Sequence, residues 1–93
     1  VPPLEKARAA VFAASEGKAD AIVVLDVREV SPVTDYFVLF TGNNMNHLRA
    51  LAGRVEDALR LLGAKPSSVD GARGTGWVAM DYGNVIIHAM TQD

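Results

Sequence analysis

The stretch Trp77-Val-Ala-Met-Asp-Tyr82, Gly83-Asn84, Val85-Ile-Ile-His-Ala-Met-Thr91 decides the fold. Two runs rich in β-branched and aromatic residues flank a Gly-Asn pair, the pattern of a hairpin with a two-residue turn. With the turn at Gly83-Asn84, Tyr82 opposes Val85, Met80 opposes Ile87, and Val78 opposes Ala89. Side chains alternate faces along a strand, so these six share one apolar face that suits a helical cover. This reading places Tyr82 in the core. The other face carries Trp77, Ala79 and Asp81 against Ile86, His88 and Met90.

Working outward, Pro2-Pro3 precedes apolar residues at Leu4, Ala7, Val11 and Ala14 or Ala10, the spacing of one helix face. Pro3 fits the first turn of that helix and Gly17 its end. Ala21-Ile-Val-Val-Leu-Asp-Val-Arg28 reads as a strand buried on both faces for most of its length. Ser31-Pro32 turns the chain, Asp35 leads into a second strand, Tyr36-Phe-Val-Leu-Phe-Thr41, and Gly42 ends it. Asn43, Asn44 and Asn46 offer caps for a helix whose apolar stripe is Leu48, Leu51, Ala52, Val55, Leu59 and Leu62. Glu56 and Arg60 fit a pair on its wet side, and Gly63 closes it. Lys65 to Ser68 is a loop, Val69 to Gly71 a short strand, and 72–76 an irregular, mobile connection. The order α-β-β-α-β-β-β specifies a single α/β (α+β) domain over 1–93. Four to five strands form a mixed sheet, with helices packed mainly on one face.

Two helices do not cover both faces of such a sheet. The face bearing Trp77, Asp81, Ile86, His88 and Met90 is therefore expected to stay partly open and to bind a partner, since aromatic residues and Met are enriched in interface cores. Trp77 taken alone fits equally well under the 72–76 loop, as large aromatics are mostly core residues.

Composition narrows the function classes. A chain of 93 residues with 49 % hydrophobic content supports one modest core. It has no Cys, which fits a reducing compartment, and its two His lie far apart, so a protein-ligand zinc site is not expected. Nine basic against eleven acidic side chains give a formal net charge of −2, which argues against nucleic-acid binding by charge alone. No run approaches a membrane span, and Glu5, Lys6 and Arg8 break any signal-peptide pattern.

Catalytic patterns are weak throughout. Gly71, Gly74 and Gly76 lack the Gly-Lys-Ser/Thr and the following helix of a phosphate loop. His88 has no nucleophile beside it in sequence, and Asp26, Asp35 and Asp81 form no closely spaced pair for divalent-metal chemistry. Arg49, Arg54, Arg60 and Arg73 are available for RNA phosphate or simply solvated. No catalytic residue, metal ligand or cofactor site is assigned.

Leu25-Asp-Val-Arg28, Thr34-Asp-Tyr-Phe-Val38, Thr41-Gly42, Asp70-Gly71, Trp77-Val-Ala-Met-Asp-Tyr-Gly83 and Val85-Ile-Ile-His88 together resemble the RsfS/Iojap ribosomal silencing factors, from about Leu4 to Met90. The resemblance implies a nucleotidyltransferase-like α/β fold without that superfamily's catalytic apparatus. It also implies a cytoplasmic, non-enzymatic repressor of translation, with an organellar matrix as the other compartment. Such a factor binds the large ribosomal subunit through large-subunit ribosomal protein fourteen and blocks small-subunit joining when nutrients are scarce. Minor contacts to ribosomal RNA and a homodimer stay open. Asp35, Tyr36, Phe37, Gly42, Trp77, Asp81, Tyr82, Gly83 and His88 match positions shared in the family. The facing pattern selects Trp77, Asp81 and His88 as contacts, with Ile86 and Met90 as apolar neighbours. Family members continue past the histidine strand into a segment with an Arg, a Tyr and a Leu-Glu-x-Leu-Trp helix, which this sequence lacks. The competing readings are a divergent nucleotidyltransferase-like enzyme using Asp26, Asp81 and a metal, and a scaffold whose open sheet face pairs with itself.

Overall fold

The computed structural model describes residues 1–71 and 76–92. The elements are α1 (Pro3–Glu16), β1 (Asp20–Asp26), β2 (Tyr36–Gly42), α2 (Met45–Leu61), β3 (Ser68–Asp70), β4 (Trp77–Asp81) and β5 (Val85–Thr91). The strands form one mixed five-stranded sheet in the order β1-β2-β5-β4-β3. Only the central β2/β5 pair is parallel, and the other three pairs are antiparallel. α2 lies in the connection that carries the chain from β2 back to the hairpin.

The hairpin forms in the expected register, with Val78 opposite Ala89 and Met80 opposite Ile87. Tyr82 N–H donates to the Val85 carbonyl at 2.8 Å. Gly83 takes φ +83°, a conformation that disfavours side chains bearing Cβ. The tip is also an anchor. The Asn84 carbonyl accepts from the amides of Asp35 and Tyr36, and the Lys6 ammonium donates to Tyr82 O (3.1 Å) and Asn84 Oδ1 (3.0 Å). Thus α1 and the start of β2 are both tied to the hairpin turn.

Both helices pack on the face formed by Tyr36, Val38 and Phe40 of β2, Val85, Ile87 and Ala89 of β5, and Met80 of β4, all buried. α2 presents Leu48, Leu51, Val55 and Leu59 to this core, as its 3.6-residue spacing requires. Its N-cap is Asn44, whose side chain accepts from His47 N–H at 2.8 Å. His47 in turn bolts the helices together. Its Nδ1 accepts from Asn43 N–H at 2.9 Å, and its Nε2 lies 2.8 Å from the Gly17 carbonyl that follows α1. Arg60 bridges Asp57 at 2.9 Å more closely than Glu56 at 3.8 Å.

Two expectations need correction. The first strand is not buried on both faces: six of its seven residues are exposed. Among the described residues it lies at the sheet edge, with only β2 beside it. An apolar β-branched run suits an edge strand on an open sheet as well as a central one, and only the strand order separates them. Its span is also Asp20–Asp26 rather than 21–28, because Arg28 folds back, its guanidinium gripping Asp26 at 2.7 Å. In α1 the buried set is Ala7, Ala10, Ala13 and Ala14, while Leu4 is exposed. Four small residues let α1 sit close to α2 and the sheet, and Leu4 in the first turn lines a groove beside β1. The short strand is Ser68–Asp70, a residue earlier than expected. The irregular connection at 72–76 lies outside the described residues except for Gly76.

Ile87→Ala is expected to cost about 2–5 kcal/mol, the range for truncating a fully buried Ile, as a lower urea midpoint at unchanged slope. A second expectation concerns Tyr82, buried with its hydroxyl lacking a protein partner among the described residues. Burial, assisted by the negative charge of Glu56, pushes its phenol from 10.0 up to about 12. The folded state then holds this proton where the unfolded state has lost it. The stability contributed is therefore full below pH 10 and lost as pH rises towards about 12. Denaturation across this range should show the loss in the wild type and a shallower one in Tyr82→Phe.

Candidate functional site

The sheet face opposite the helices is built by alternation. In β2 and β5 every second residue is buried under α1 and α2, and the intervening Phe37, Leu39, Thr41, Ile86, His88 and Met90 remain partly exposed. Pairing registers align these with the other strands in rows across the sheet. One row runs Leu25, Phe37, Ile86, Asp81, Ser68. The next runs Val23, Leu39, His88, Ala79, Asp70, and a third Asp20, Thr41, Met90, Trp77. All five residues singled out from the sequence, Trp77, Asp81, Ile86, His88 and Met90, therefore share this face.

His88 is the centre of an aromatic group. Its ring lies 5.6 Å from that of Phe37, tilted by 43°, and 6.2 Å from that of Trp77, nearly stacked at 29°. Trp77 Nε1–H donates to His88 Nδ1 at 3.4 Å. A ring nitrogen that accepts carries no proton, so in this arrangement the neutral imidazole holds its proton on Nε2. Trp77 itself is 38 % exposed. Its inner edge rests on Gly71, whose φ is +77° and where a Cβ would strike the indole and the Trp77 carbonyl. Asp81 has a structural duty as well, because its Oδ1 accepts from Gly83 N–H at 2.7 Å and holds the hairpin turn.

Charge is distributed unevenly. None of the five strands contains Lys or Arg, and the formal charges on the open face are carboxylates, Asp70 and Asp81 towards the β3 side and Asp20 at the start of β1. Arg49, Arg54 and Arg60 sit on α2, across the sheet from this face. Arg73 lies outside the described residues, as does Gly74. The glycine-rich stretch leads into β4, not into a helix.

The carboxylates are not brought together. Asp26 pairs with Tyr36 on the helix side, and Asp81 pairs with Ile86 on the open side. Three strand spacings separate them, about 14 Å at the usual interstrand distance. Asp26 is held by Arg28, whose side-chain hydrogen bonds lower its pKa. Arg28 also lies over the Tyr36 ring at 5.4 Å. Among the described residues no group of three or more His, Cys, Asp or Glu is placed to hold a metal ion, and no helix is long and apolar enough to cross a membrane.

The sequence reading missed Phe37, Leu39, Val23 and Leu25. Strands β1 and β2 are apolar at successive positions, so composition does not say which side chains face the helices. Parity alone assigns them, once β2 is known to lie beside β5.

The sheet face opposite the helices is largely apolar, and the described residues place no group of three or more metal-ligating side chains there. Residues 2–93 match the family described as "Ribosomal silencing factor during starvation". The ribosomal silencing factor RsfS of Bacillus subtilis (strain 168) is 30 % identical over 84 residues, 90 % of this chain and 71 % of that protein. That of Halalkalibacterium halodurans is 27 % identical over 84 residues, 90 % and 72 % of the two chains. A crystal structure of a Chromobacterium violaceum protein superposes with a TM-score of 0.92 at 25 % identity, covering 98 % of this chain and 76 % of that one. A Bacillus halodurans protein gives 0.89 at 27 % identity, with 97 % and 84 % covered. The chain belongs to the ribosomal silencing factor family, a class of ribosome-associated regulators of translation.

The close seat of Trp77 on Gly71 gives a direct test. Gly71→Ala is expected to cost about 1–2 kcal/mol through its left-handed backbone and to displace the indole. Trp77 is the chain's one tryptophan, so its fluorescence quenching by acrylamide should rise. Unchanged quenching would remove Gly71 from the support of the site.

Proposed function

We propose that the chain represses translation by laying its open sheet face on large-subunit ribosomal protein fourteen, on the surface of the large subunit that meets the small subunit. A bound factor then fills space the small subunit needs. No chemistry is required, and no residue acts as a catalyst. The bacterial cytoplasm is its place of action, in line with the family to which it belongs.

The observation that carries this reading is the patch of Phe37, Trp77, Ile86, His88 and Met90 on a face that neither helix covers. Contiguous exposed apolar surface of this kind marks interaction sites, and a Trp in such a patch is a typical anchor. A standard contact of roughly 800 Å² per partner fits a sheet of five strands. Charge supports a protein partner over RNA. Phosphate binding draws on Lys and Arg, whereas the charges on this face are Asp20, Asp70 and Asp81, suited to the rim of a basic protein surface. Any contact to ribosomal RNA would then come from outside this face. At ten times its dissociation constant, such a blocker raises the apparent constant for subunit joining about elevenfold.

The test is co-sedimentation with purified large and small subunits, separately and together. The chain should pellet with large subunits and lower the yield of joined ribosomes as its concentration rises. Trp77→Ala should lose at least about 2 kcal/mol of binding, the usual threshold for an anchor residue, with the circular dichroism of the fold retained. Wild-type affinity in that variant would take Trp77 out of the contact. Heat of binding or turnover with Mg²⁺ and nucleoside triphosphates would favour an enzyme instead.

A further inference from the structure

The register puts His88 in the middle row of the open face, with Leu39 on one side and Ala79 on the other. Ile86 and Met90 precede and follow it on β5. Phe37 and Trp77 stand at two opposite corners of this block, Thr41 and Asp81 at the other two. The indole N–H of Trp77 donates to His88 Nδ1 at 3.4 Å, so the neutral ring carries its proton on Nε2. Among the described residues Nε2 has no hydrogen-bond partner, and it is not closed off from solvent. An oriented, uncharged N–H therefore lies at the centre of a largely apolar patch. In the free chain water satisfies it. A partner that covers Phe37, Trp77, Ile86 and Met90 displaces that water, and a buried N–H without an acceptor costs roughly ten- to a hundredfold in affinity.

We propose that His88 determines the specificity of this face: its Nε2–H donates to an amide carbonyl that the partner protein seats between the Phe37 and Trp77 rings. The carbonyl belongs to the partner's main chain or to an Asn or Gln side chain. The inference rests on the open face being the docking face. Charge selects a neutral acceptor, because the formal charges on this face are the carboxylates of Asp20, Asp70 and Asp81. A carboxylate or phosphate brought to His88 meets like charge around it and must also shed its hydration. An amide carbonyl is a good acceptor with no net charge to desolvate. Trp77 thus has two tasks, apolar contact and control of the imidazole. Flipping the ring would set Nε2–H against the indole N–H, donor against donor. It would also turn the bare Nδ1 towards the partner's carbonyl, acceptor against acceptor. The indole hydrogen bond opposes that flip and keeps the donor outward.

Two measurements test this. Proton–nitrogen NMR correlation of the imidazole rings at about pH 8, above the ordinary imidazole range, should show His88 with Nδ1 bare and Nε2 protonated. The signals lost in His88→Phe separate it from His47. The opposite tautomer overturns the proposal, whatever the chain binds. The second measurement is affinity for purified large subunits at low and high salt, with circular dichroism checking the fold of each variant. His88→Phe keeps an aromatic ring and loses the donor. It should weaken binding roughly ten- to a hundredfold, equally at both salt concentrations. His88→Gln, whose amide N–H reaches the place of Nε2–H, should recover much of that loss. Wild-type affinity in His88→Phe beside a loss in Trp77→Ala overturns the donor and leaves the docking face standing. Wild-type affinity in both removes the docking face, and the proposal with it. A His88→Phe loss that shrinks as salt rises assigns a charged acceptor and overturns the amide carbonyl.

Discussion

Tyr36 to Gly42 lies alongside Val85 to Thr91 in parallel register, and this central seam governs the rest of the molecule. Parallel strands cannot be joined by a tight turn, so the chain between them crosses over one face of the sheet. That crossover contains α2, and α1 packs beside it on the same face. With both helices committed to one side, alternation divides β2 and β5 cleanly. Val38, Phe40, Val85, Ile87 and Ala89 go under the helices, and Phe37, Leu39, Ile86, His88 and Met90 go to the other face.

The hairpin tip secures this division. Asn84 receives the amides at the start of β2 and the ammonium of Lys6 from α1, so the seam, the hairpin and the first helix meet at one turn. At the opposite end His47 links the end of α1 to the start of α2. Apart from Asp81, whose carboxylate holds the turn, no open-face side chain takes part in either attachment, so loss of another side chain there need not loosen the core. The apolar character of that face is what a small domain leaves when it has too few helices to cover its sheet. In a family of ribosome-associated regulators, the proposed use for it is a flat surface on which a partner lies.

How much of this was legible in the sequence depended on local against distant pairing. The Gly83-Asn84 turn fixes its own register, so the two faces of β4 and β5, and with them Trp77, Asp81, Ile86, His88 and Met90, follow from counting alone. The helices were equally plain, since Leu48, Leu51, Val55 and Leu59 repeat at helical spacing. Strand order was not legible. Nothing local in Ile22-Val-Val-Leu25 tells an edge strand from a central one, which is why β1 was misplaced. The contribution of Phe37 and Leu39 was hidden for the same reason. The seat of Trp77 on Gly71 depends on the left-handed backbone of one glycine, and a lone Gly does not announce its φ. Asp81 reads as a contact residue, yet part of its carboxylate is already used by the turn.

The central claim is that the strand face, and not the helix layer, meets the large subunit. Hydroxyl-radical footprinting of the chain, free and bound to purified large subunits, reads this residue by residue. Protection is expected at Phe37, Leu39, Trp77, Ile86, His88 and Met90, with Leu48 and Phe40 silent in both states and Leu61 on α2 equally reactive in both. Protection of Leu61 and its helix neighbours, with Trp77 and His88 as reactive in the complex as in the free chain, would contradict it.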